Sequence, residues 1–480
     1  MQEYKREFIR FLLANGLGIF ENPNDDRSLK SKRLSPWFLN IGDFNDGVTL
    51  SALADAYAQA IINSGVQLDT LYGIPEKGVG LVGPVAAKMG ERGHNVGWFF
   101  TRKVPKEYGE ATGKMDLTKL VVGRIPKPGQ AIGQLDDVFT TGDAKYEARE
   151  TLKSLGSFDY PLLAIALDRQ EVLTDATGIS AIERYEKDTG TKVISAVNAK
   201  DVLDYLIEQA ESDTENSSVI RRRVERLANY LRVYGTNEAK FGMQTLNQRI
   251  MGRERSVIPA CDVETLEEFE SIVRDTTDVE GVGGYKVGFE LGYGYGLQRI
   301  VEVARKYTDK PIILDHQKAG TDIPDTGKNF ARVCKKAGVD AVILFPQAGP
   351  ETERAWIYHA LDNELKVIVD GRMTHQSYTT SEGGWITDEG ALKMYEIAAK
   401  IGVDNFVVPR NKPEVIEQIR SVVEPIVGEA DYYAPGLIEQ GGNISAAGKA
   451  AGKRFHGIVG RGIYQAKDKT AAAIEHCSQL

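Results

Sequence analysis

Between Ser256 and Val459 the chain repeats one pattern eight times: three to five mostly apolar residues, a loop, and usually a stretch with apolar residues at helical spacing. The runs are Ser256–Ala260, Gly284–Val287, Pro311–Leu314, Ala341–Phe345, Lys366–Val369, Asn405–Val408, Tyr432–Ala434 and Gly457–Val459. Short continuous apolar runs are what strands covered on both faces show, and parallel strands need a long crossover between them, usually a helix. Eight such units in about 220 residues is the rhythm of a (β/α)8, or TIM, barrel. An open doubly wound sheet is the other architecture the pattern allows; the even spacing of the strands favours the barrel.

The first two hundred or so residues alternate as well, with less regularity. Val48–Ser64 and Ala144–Leu155 carry helical spacing, and Val79–Met89 is a Gly/Ala-rich helix that follows the loop PEKG at Pro75–Gly78. Leu68–Gly73, Val96–Thr101, Ala131–Asp136 and Leu162–Leu167 read as strands. This is an α/β pattern, separate from the barrel repeat. Composition shifts near Glu208, where ESDTENSS is followed by the basic run Arg221–Arg223. Such a run is usually a solvated helix face. The expected organisation is a first domain over 1–208, a partly helical connection over 209–254 packed against one domain, and the barrel over 255–480.

A chain with 42% hydrophobic and 26% charged residues can bury a core and is not built for disorder. Its formal net charge of −9 argues against a general nucleic-acid binder, so a phosphate-bearing ligand must be met by local cations or helix N-termini. No stretch approaches the ~20 apolar residues of a membrane span. The N-terminal MQEYKREFIRFLLANG places charges inside its apolar pattern, so it reads as an amphipathic helix and not a signal peptide. The three cysteines, Cys261, Cys334 and Cys477, fit neither a disulfide framework nor a zinc spacing, and a cytoplasmic setting is expected.

Leu135–Gly142, LDDVFTTG, is the most informative segment of the first half. An apolar run ends on Asp136 and Asp137, and a turn of Thr140, Thr141 and Gly142 opens a helix. The turn offers backbone N–H groups and hydroxyls to a phosphate, while the acids can accept ribose hydroxyls. An acidic loop with a capping threonine is the plainer reading of the same residues. The segments LKSKRLSPWFLN (Leu29–Asn40), PEKG, FTRKVPKEYGE (Phe100–Glu110) and LDRQE (Leu167–Glu171) occur with it in order. Together they resemble orotate phosphoribosyltransferases over about residues 5–205, which implies a type I phosphoribosyltransferase-like doubly wound parallel sheet. The resemblance implies that Lys30, Thr140 and Arg169 hold orotate. It implies that Lys77, Arg102, Lys103 and Lys106 meet pyrophosphate, within a lid over Arg102–Glu110. Lys103, Asp136 and Asp137 are the implied catalytic groups, and Mg2+ is implied with phosphoribosyl pyrophosphate. Tyr108 stands where that family's lid usually has a histidine; a phenol can hydrogen-bond to pyrophosphate but brings no positive charge.

In the second half Asp262 follows the first apolar run, Lys286 lies in YKVGFEL, and LDHQKAGTDIPDT spans Leu314–Thr326. YAPGLIEQGG (Tyr433–Gly442) and IVGRGIY (Ile458–Tyr464) come later. Acids and lysines at successive strand ends face one barrel mouth, and a late glycine-rich loop makes a phosphate cradle there. These segments resemble orotidine 5′-monophosphate decarboxylases over about residues 255–470, a family that needs no cofactor. The resemblance implies that Asp262 binds ribose, that Lys286, Asp315, Lys318 and Asp322 form a charge array, and that Thr326 and Thr374 line the substrate site. It implies that Gln440, Gly441, Gly460 and Arg461 hold the phosphate. The family's D-x-K-x-x-D-I-P is here Asp315-x-x-Lys318-x-x-x-Asp322-Ile-Pro. On a regular strand residues three apart do not share a face. A bulge or turn at His316 would restore Asp315 to the first slot; alternatively His316 fills it. Gly288, Gly292, Gly294 and Gly296 lack the acid of a dinucleotide fingerprint and read as loop. Trp356, Trp385 and His375 lie near the expected mouth, the tryptophans as packing residues.

The two halves together imply an enzyme that makes orotidine 5′-monophosphate from orotate and phosphoribosyl pyrophosphate and then decarboxylates it. It is expected as a homodimer or higher homo-oligomer, with small-molecule substrates, no nucleic-acid or membrane partner, and no metal site of its own. Two other readings are a ligand-sensing regulator built on the first fold, and a barrel acting on another sugar phosphate.

Overall fold

The structure, a computed structural model, describes residues 1–29, 31–102, 120–174, 178–212, 217–240, 248–315, 320–436 and 444–480. It divides into two compact units, Met1–Leu29 with Leu34–Gly242, and Lys30–Arg33 with Met243–Leu480.

The first unit is built on a six-stranded sheet of β1 (Thr70–Gly73), β2 (Gly97–Thr101), β3 (Val121–Gly123), β4 (Ala131–Leu135), β5 (Asp159–Asp168) and β6 (Lys192–Asn198). Their order is β6-β5-β4-β1-β2-β3, parallel except for β3. The chain starts in the middle at β1, steps one way to β2, then returns to the other side of β1 with β4 and continues to β5 and β6. Parallel crossovers are right-handed, so this reversal sends the connections to opposite faces and leaves a crevice beyond the carboxyl ends of β1 and β4. Helix α1 (Glu3–Asn15) buries Phe8, Ile9 and Leu12, the apolar stripe read in the sequence. Helix α2 (Gly47–Asn63) starts at a capping box between Asp46 and Thr49. Helix α3 (Lys77–Glu91) joins β1 to β2, and α4 (Asp143–Leu155) joins β4 to β5. The core includes Tyr72, Ile74, Phe99, Ile132, Leu152, Leu163, Ile165 and Tyr185.

The stretch 209–254, expected as a connection, is divided between the units. Helix α5 (Ala199–Ser212) packs with α6 (Ser217–Tyr234), inside the first unit. Arg226 is fully buried on α6; it donates to both carboxylate oxygens of Asp26 at 2.9 Å and to the Phe20 carbonyl. Breaking such a pair leaves a buried charge uncompensated, so Arg226 fastens α6 to the body of its unit.

The second unit is a closed barrel of eight parallel strands: β7 (Arg255–Cys261), β8 (Tyr285–Val287), β9 (Ile312–Asp315), β10 (Ala341–Leu344), β11 (Lys366–Val369), β12 (Asn405–Val407), β13 (Asp431–Pro435) and β14 (Phe455–Val459). The open-sheet alternative is thereby set aside: β14 pairs with β7, Ser256 opposite His456. Ile258, Ala260, Ile313, Ala341, Ile343, Ile368, Val407, Tyr433 and Ile458 form the interior cluster. Because strand side chains alternate, Asp262, Asp315 and Asp370 occupy the next inward positions above Ala260, Ile313 and Ile368. At the opposite end lies a buried polar knot that sequence reading did not anticipate. His456 bridges Ser256 Oγ and Asp431 Oδ1, each at 2.8 Å, and Arg454 donates to the same Asp431 oxygen at 2.7 Å.

Candidate functional sites at the carboxyl ends of parallel strands

In the first unit two loops flank the crevice. After β1 the chain turns through Gly73 to Lys77, the exposed first residue of α3. Gly78 lies so close to β4 that an added Cβ would stand 2.2 Å from the Leu135 carbonyl oxygen. After β4 come the two acids. Asp136 is buried, with its Oδ2 2.7 Å from Lys145 Nζ and its Oδ1 accepting the Asp137 N–H at 2.9 Å. Burial pushes the Asp136 carboxyl above the usual carboxylate range, and Lys145 draws it part of the way back. Asp137 is half-buried, and its Oδ1 accepts the Val138 N–H at 2.7 Å. Thr140 and Thr141 are exposed, and Thr141 Oγ1 donates to Asp143 at 2.7 Å. Gly142 takes φ +92° as the N-cap of α4, a conformation that favours glycine. The turn therefore presents the N-terminus of a 13-residue helix beside Asp137, a geometry that suits a phosphate.

Arg169, just past β5, lies with its guanidinium 4.3 Å from the Trp37 ring centroid. It donates to Glu171 at 2.7 Å, to Ser35 Oγ at 2.9 Å and to the Trp37 carbonyl at 3.3 Å. The planar cation is thus fixed in orientation before any ligand arrives. Arg102 is exposed at the end of β2. Lys30, Lys103, Lys106 and Tyr108 lie outside the described residues.

In the barrel, Lys286 is buried between two carboxylates, 2.6 Å from Asp315 Oδ2 and 3.6 Å from Asp262 Oδ1. Burial pulls its ammonium down, and Asp315 and Asp262 more than reverse this, so it stays above the ordinary lysine value. Asp315 thus faces Lys286 across the mouth. His316 and Lys318 lie outside the described residues. A pocket of about 380 Å³ is lined by Asp262, Lys286, Thr374, Arg410, Asn411, Gly460, Arg461 and Tyr464, among others. Gln440 and Gly441 lie outside the described residues. Asp322 and Thr326 lie farther along the loop after β9; Asp322 is exposed, and Thr326 is half-buried at the start of a helix with its hydroxyl on the Ile323 carbonyl at 2.8 Å.

Sequence reading missed three residues that belong with this set. Asp370 follows β11 at an inward position; burial raises its carboxyl to about 7, and Asp315 pushes the same way. The run VIVD ends on an acid as ILD does at Asp315, so the signal was present. Asn411 and Lys412, after β12, hold the loop that carries Thr374. Asn411 Nδ2 donates to the Thr374 carbonyl at 3.0 Å, and Lys412 Nζ donates to the Met373 and His375 carbonyls at 3.1 and 3.3 Å. Their signal is long-range and absent from local spacing. Trp385 is 98% exposed, so its expected packing role is not met within the chain; Trp356 is buried as expected.

Among curated proteins, the orotate phosphoribosyltransferase of Pseudomonas aeruginosa is 37% identical over 212 residues, spanning 44% of this chain and 92% of that protein. The orotate phosphoribosyltransferase of Photobacterium profundum is 35% identical over 227 residues, spanning 47% and 99%. Among solved structures, the Francisella tularensis orotate phosphoribosyltransferase aligns at 30% identity and TM-score 0.39, over 48% of this chain and all of that one. The Methanocaldococcus jannaschii orotidine 5′-monophosphate decarboxylase, complexed with the inhibitor BMP, aligns at 27% identity and TM-score 0.41, over 47% and 99%. The model of the orotidine 5′-phosphate decarboxylase / HUMPS family matches residues 255–475. By the identity and coverage of its first half the chain belongs to the orotate phosphoribosyltransferase family, and its second half carries the domain of the orotidine 5′-phosphate decarboxylase / HUMPS family.

Proposed function

We propose that the chain performs two successive reactions of UMP synthesis. The first unit joins orotate to the ribose of phosphoribosyl pyrophosphate, releasing pyrophosphate, and the barrel removes CO2 from the orotidine 5′-monophosphate so formed. The observation that carries the reading is the presence of matches to a maker and a consumer of the same nucleotide in one chain of two compact units. No comparison supports a ligand-sensing regulator or a barrel with another substrate.

In the first reaction, breaking the bond to pyrophosphate builds negative charge on the leaving group and positive charge on the sugar. Lys77 and Arg102, with Lys103 and Lys106 of the lid, meet the pyrophosphate. Asp137 meets the ribose hydroxyls, and Thr141, Gly142 and the α4 N-terminus hold the 5′-phosphate. Lys30, Thr140 and Arg169 orient orotate. Among the described residues no group of three or more acid, histidine or cysteine side chains could hold a metal. A Mg2+ bound together with the pyrophosphate would be met from the protein side by the half-buried Asp137 carboxylate, and would offset charge on the leaving group.

In the second reaction Asp315 stands beside the substrate carboxylate, and Lys286 binds between Asp315 and Asp262. Loss of CO2 leaves an electron pair on the ring carbon, which Lys318 stabilises and protonates. Gly460 and Arg461, with Gln440 and Gly441, hold the phosphate, and Thr374 contacts the pyrimidine. The same reading has two copies pair across their barrel mouths in the cytoplasm, each lending Asp322 to the other's site. The exposed Phe289, Ile323 and Trp385 near the mouth support this. No helix among the described residues is long and apolar enough to cross a membrane.

The test is turnover by the purified protein. Orotate and phosphoribosyl pyrophosphate with Mg2+ should give pyrophosphate and UMP, and supplied orotidine 5′-monophosphate should give UMP without metal. Failure of either conversion defeats the assignment of that unit. For the shared site, Lys318→Ala and Asp322→Ala chains, each inactive alone, should regain decarboxylation when their subunits exchange, to at most about half per mixed dimer by two-fold symmetry.

A further inference from the structure

The first turn of α4 carries a buried lysine whose sign is wrong for the helix. Lys145 is the third residue of α4, where the helix dipole favours an anion. Its side chain nevertheless turns inward, with 6% exposure. The ammonium lies 2.7 Å from Asp136 Oδ2, donates to the Val138 carbonyl at 2.7 Å, and sits 5.3 Å from the Phe139 ring centroid. Both ends of Asp136 are thereby occupied, since Oδ1 accepts the Asp137 N–H and the Asp136 carbonyl accepts the Tyr57 hydroxyl at 2.6 Å. The lysine spans the turn that lies between β4 and α4, from the residue that opens it to the helix that closes it.

Building on the reaction proposed above for this unit, we propose that Lys145 is a positioning residue: it turns Asp136 inward and cancels its charge, so that Asp137 alone meets the ribose, and it pins the Val138 carbonyl so that the Thr140–Gly142 turn stands open to the phosphate. Electrostatics give the arrangement its purpose. Two adjacent uncompensated carboxylates would repel a polyanion arriving at the same turn, over distances well within a Debye length. With Lys145 in place the pair carries one net negative charge instead of two. Burial raises the Asp136 carboxyl while Lys145 lowers it, the direction in which a cation 2.7 Å away acts.

The test uses the full chain with four substitutions. Wild-type conversion of orotate and phosphoribosyl pyrophosphate is measured first; its absence defeats the reading of the unit and the proposal with it. In Lys145→Met, of similar length without charge, the KM for phosphoribosyl pyrophosphate should rise at least about tenfold, the effect expected of a displaced substrate-positioning turn. The KM for orotate should hold, and decarboxylation of supplied orotidine 5′-monophosphate serves as the internal control. Lys145→Arg should recover part of the loss. Lys145→Met combined with Asp136→Asn should recover most of it, because no uncompensated charge remains, and Asp136→Asn alone should raise that KM less than Asp137→Asn does. A Lys145→Met chain with a lowered melting temperature but wild-type KM and kcat would show the pair to be structural only and overturn the proposal. So would Asp136→Asn raising the KM as much as Asp137→Asn.

Discussion

Gly78→Ala is the sharpest single perturbation of the first site. The added Cβ would lie 2.2 Å from the Leu135 carbonyl oxygen, whereas ordinary contact begins at 3.4 Å. The loop bearing Lys77 and the strand end bearing Asp136 and Asp137 must therefore part by about 1.2 Å, the difference between these distances. The same carbonyl accepts the Ile74 N–H at 2.9 Å, so the separation also strains that bond. Overpacking of this kind costs about 1–3 kcal/mol of stability. A misplacement of about 1 Å at a positioning element costs about a hundredfold in rate, or about 2.7 kcal/mol of transition-state stabilisation. We expect kcat/KM for phosphoribosyl pyrophosphate to fall about that far, with decarboxylation of supplied orotidine 5′-monophosphate unchanged. Gly80→Ala is the control: it lies in the same helix with nothing within 4 Å of its added Cβ. It should be silent or slightly stabilising, since alanine is the better helix former by about 1 kcal/mol. The assay is pyrophosphate release under first-order conditions below the unfolding temperature of each variant. Folded Gly78→Ala with wild-type kcat/KM would refute the idea that the close approach of α3 to β4 sets the distance between cations and acids.

Lys286→Met should lower decarboxylation at least about a hundredfold, as loss of a preorganised charge does, and leave orotidine 5′-monophosphate to accumulate by chromatography when orotate is supplied. Asp370 should make the barrel less stable as pH rises. Its folded value of about 7 exceeds the ordinary 3.8 of an unfolded chain, so its contribution is fully present below that unfolded value and is lost as pH climbs through about 7. Urea unfolding of wild type against Asp370→Asn should diverge from pH 4 upward, reaching at most about 4 kcal/mol in favour of Asn; parallel curves across that window would refute it. Arg226→Met, which strands the buried Asp26, should cost the first unit about 3–5 kcal/mol by denaturant titration, with the barrel transition unmoved.

Much of the frame is legible in the sequence. All eight barrel strands fall within two residues of their apolar runs, because strands covered on both faces leave no polar alternation to blur the signal. The β4 end and its helix are as clear, since an apolar run, two acids and a Thr-Thr-Gly turn act within ten residues. Edge elements are harder. β6, KVISAVN, is only partly buried along its length, and β3 is a three-residue antiparallel strand, so neither leaves a clean period. Side-chain direction is harder still. Lys145 in a first turn, KYEARE, reads as a solvated charge, and only the packed turn shows it inside. Asp370 could have been found by the reasoning that found Asp315; Asn411 and Lys412 could not, because their partners lie 37 or more residues away. The reach between Asp315 and Asp322 was flagged by spacing alone, and the described geometry gives Asp315 to Lys286.

The knot of Ser256, His456, Asp431 and Arg454 lies at the barrel's seam, where the first strand meets the last. Its Ser256–His456 bond joins residues 200 positions apart, so the ring cannot close until nearly the whole second unit has been made. Units fold as they emerge from synthesis, and the first has no strand in common with the ring. On the ribosome, then, the six-stranded sheet of the first unit can be complete while the ring is still an open curl of strands. The frame that carries the Asp136–Gly142 turn is available before the ring that carries Lys286.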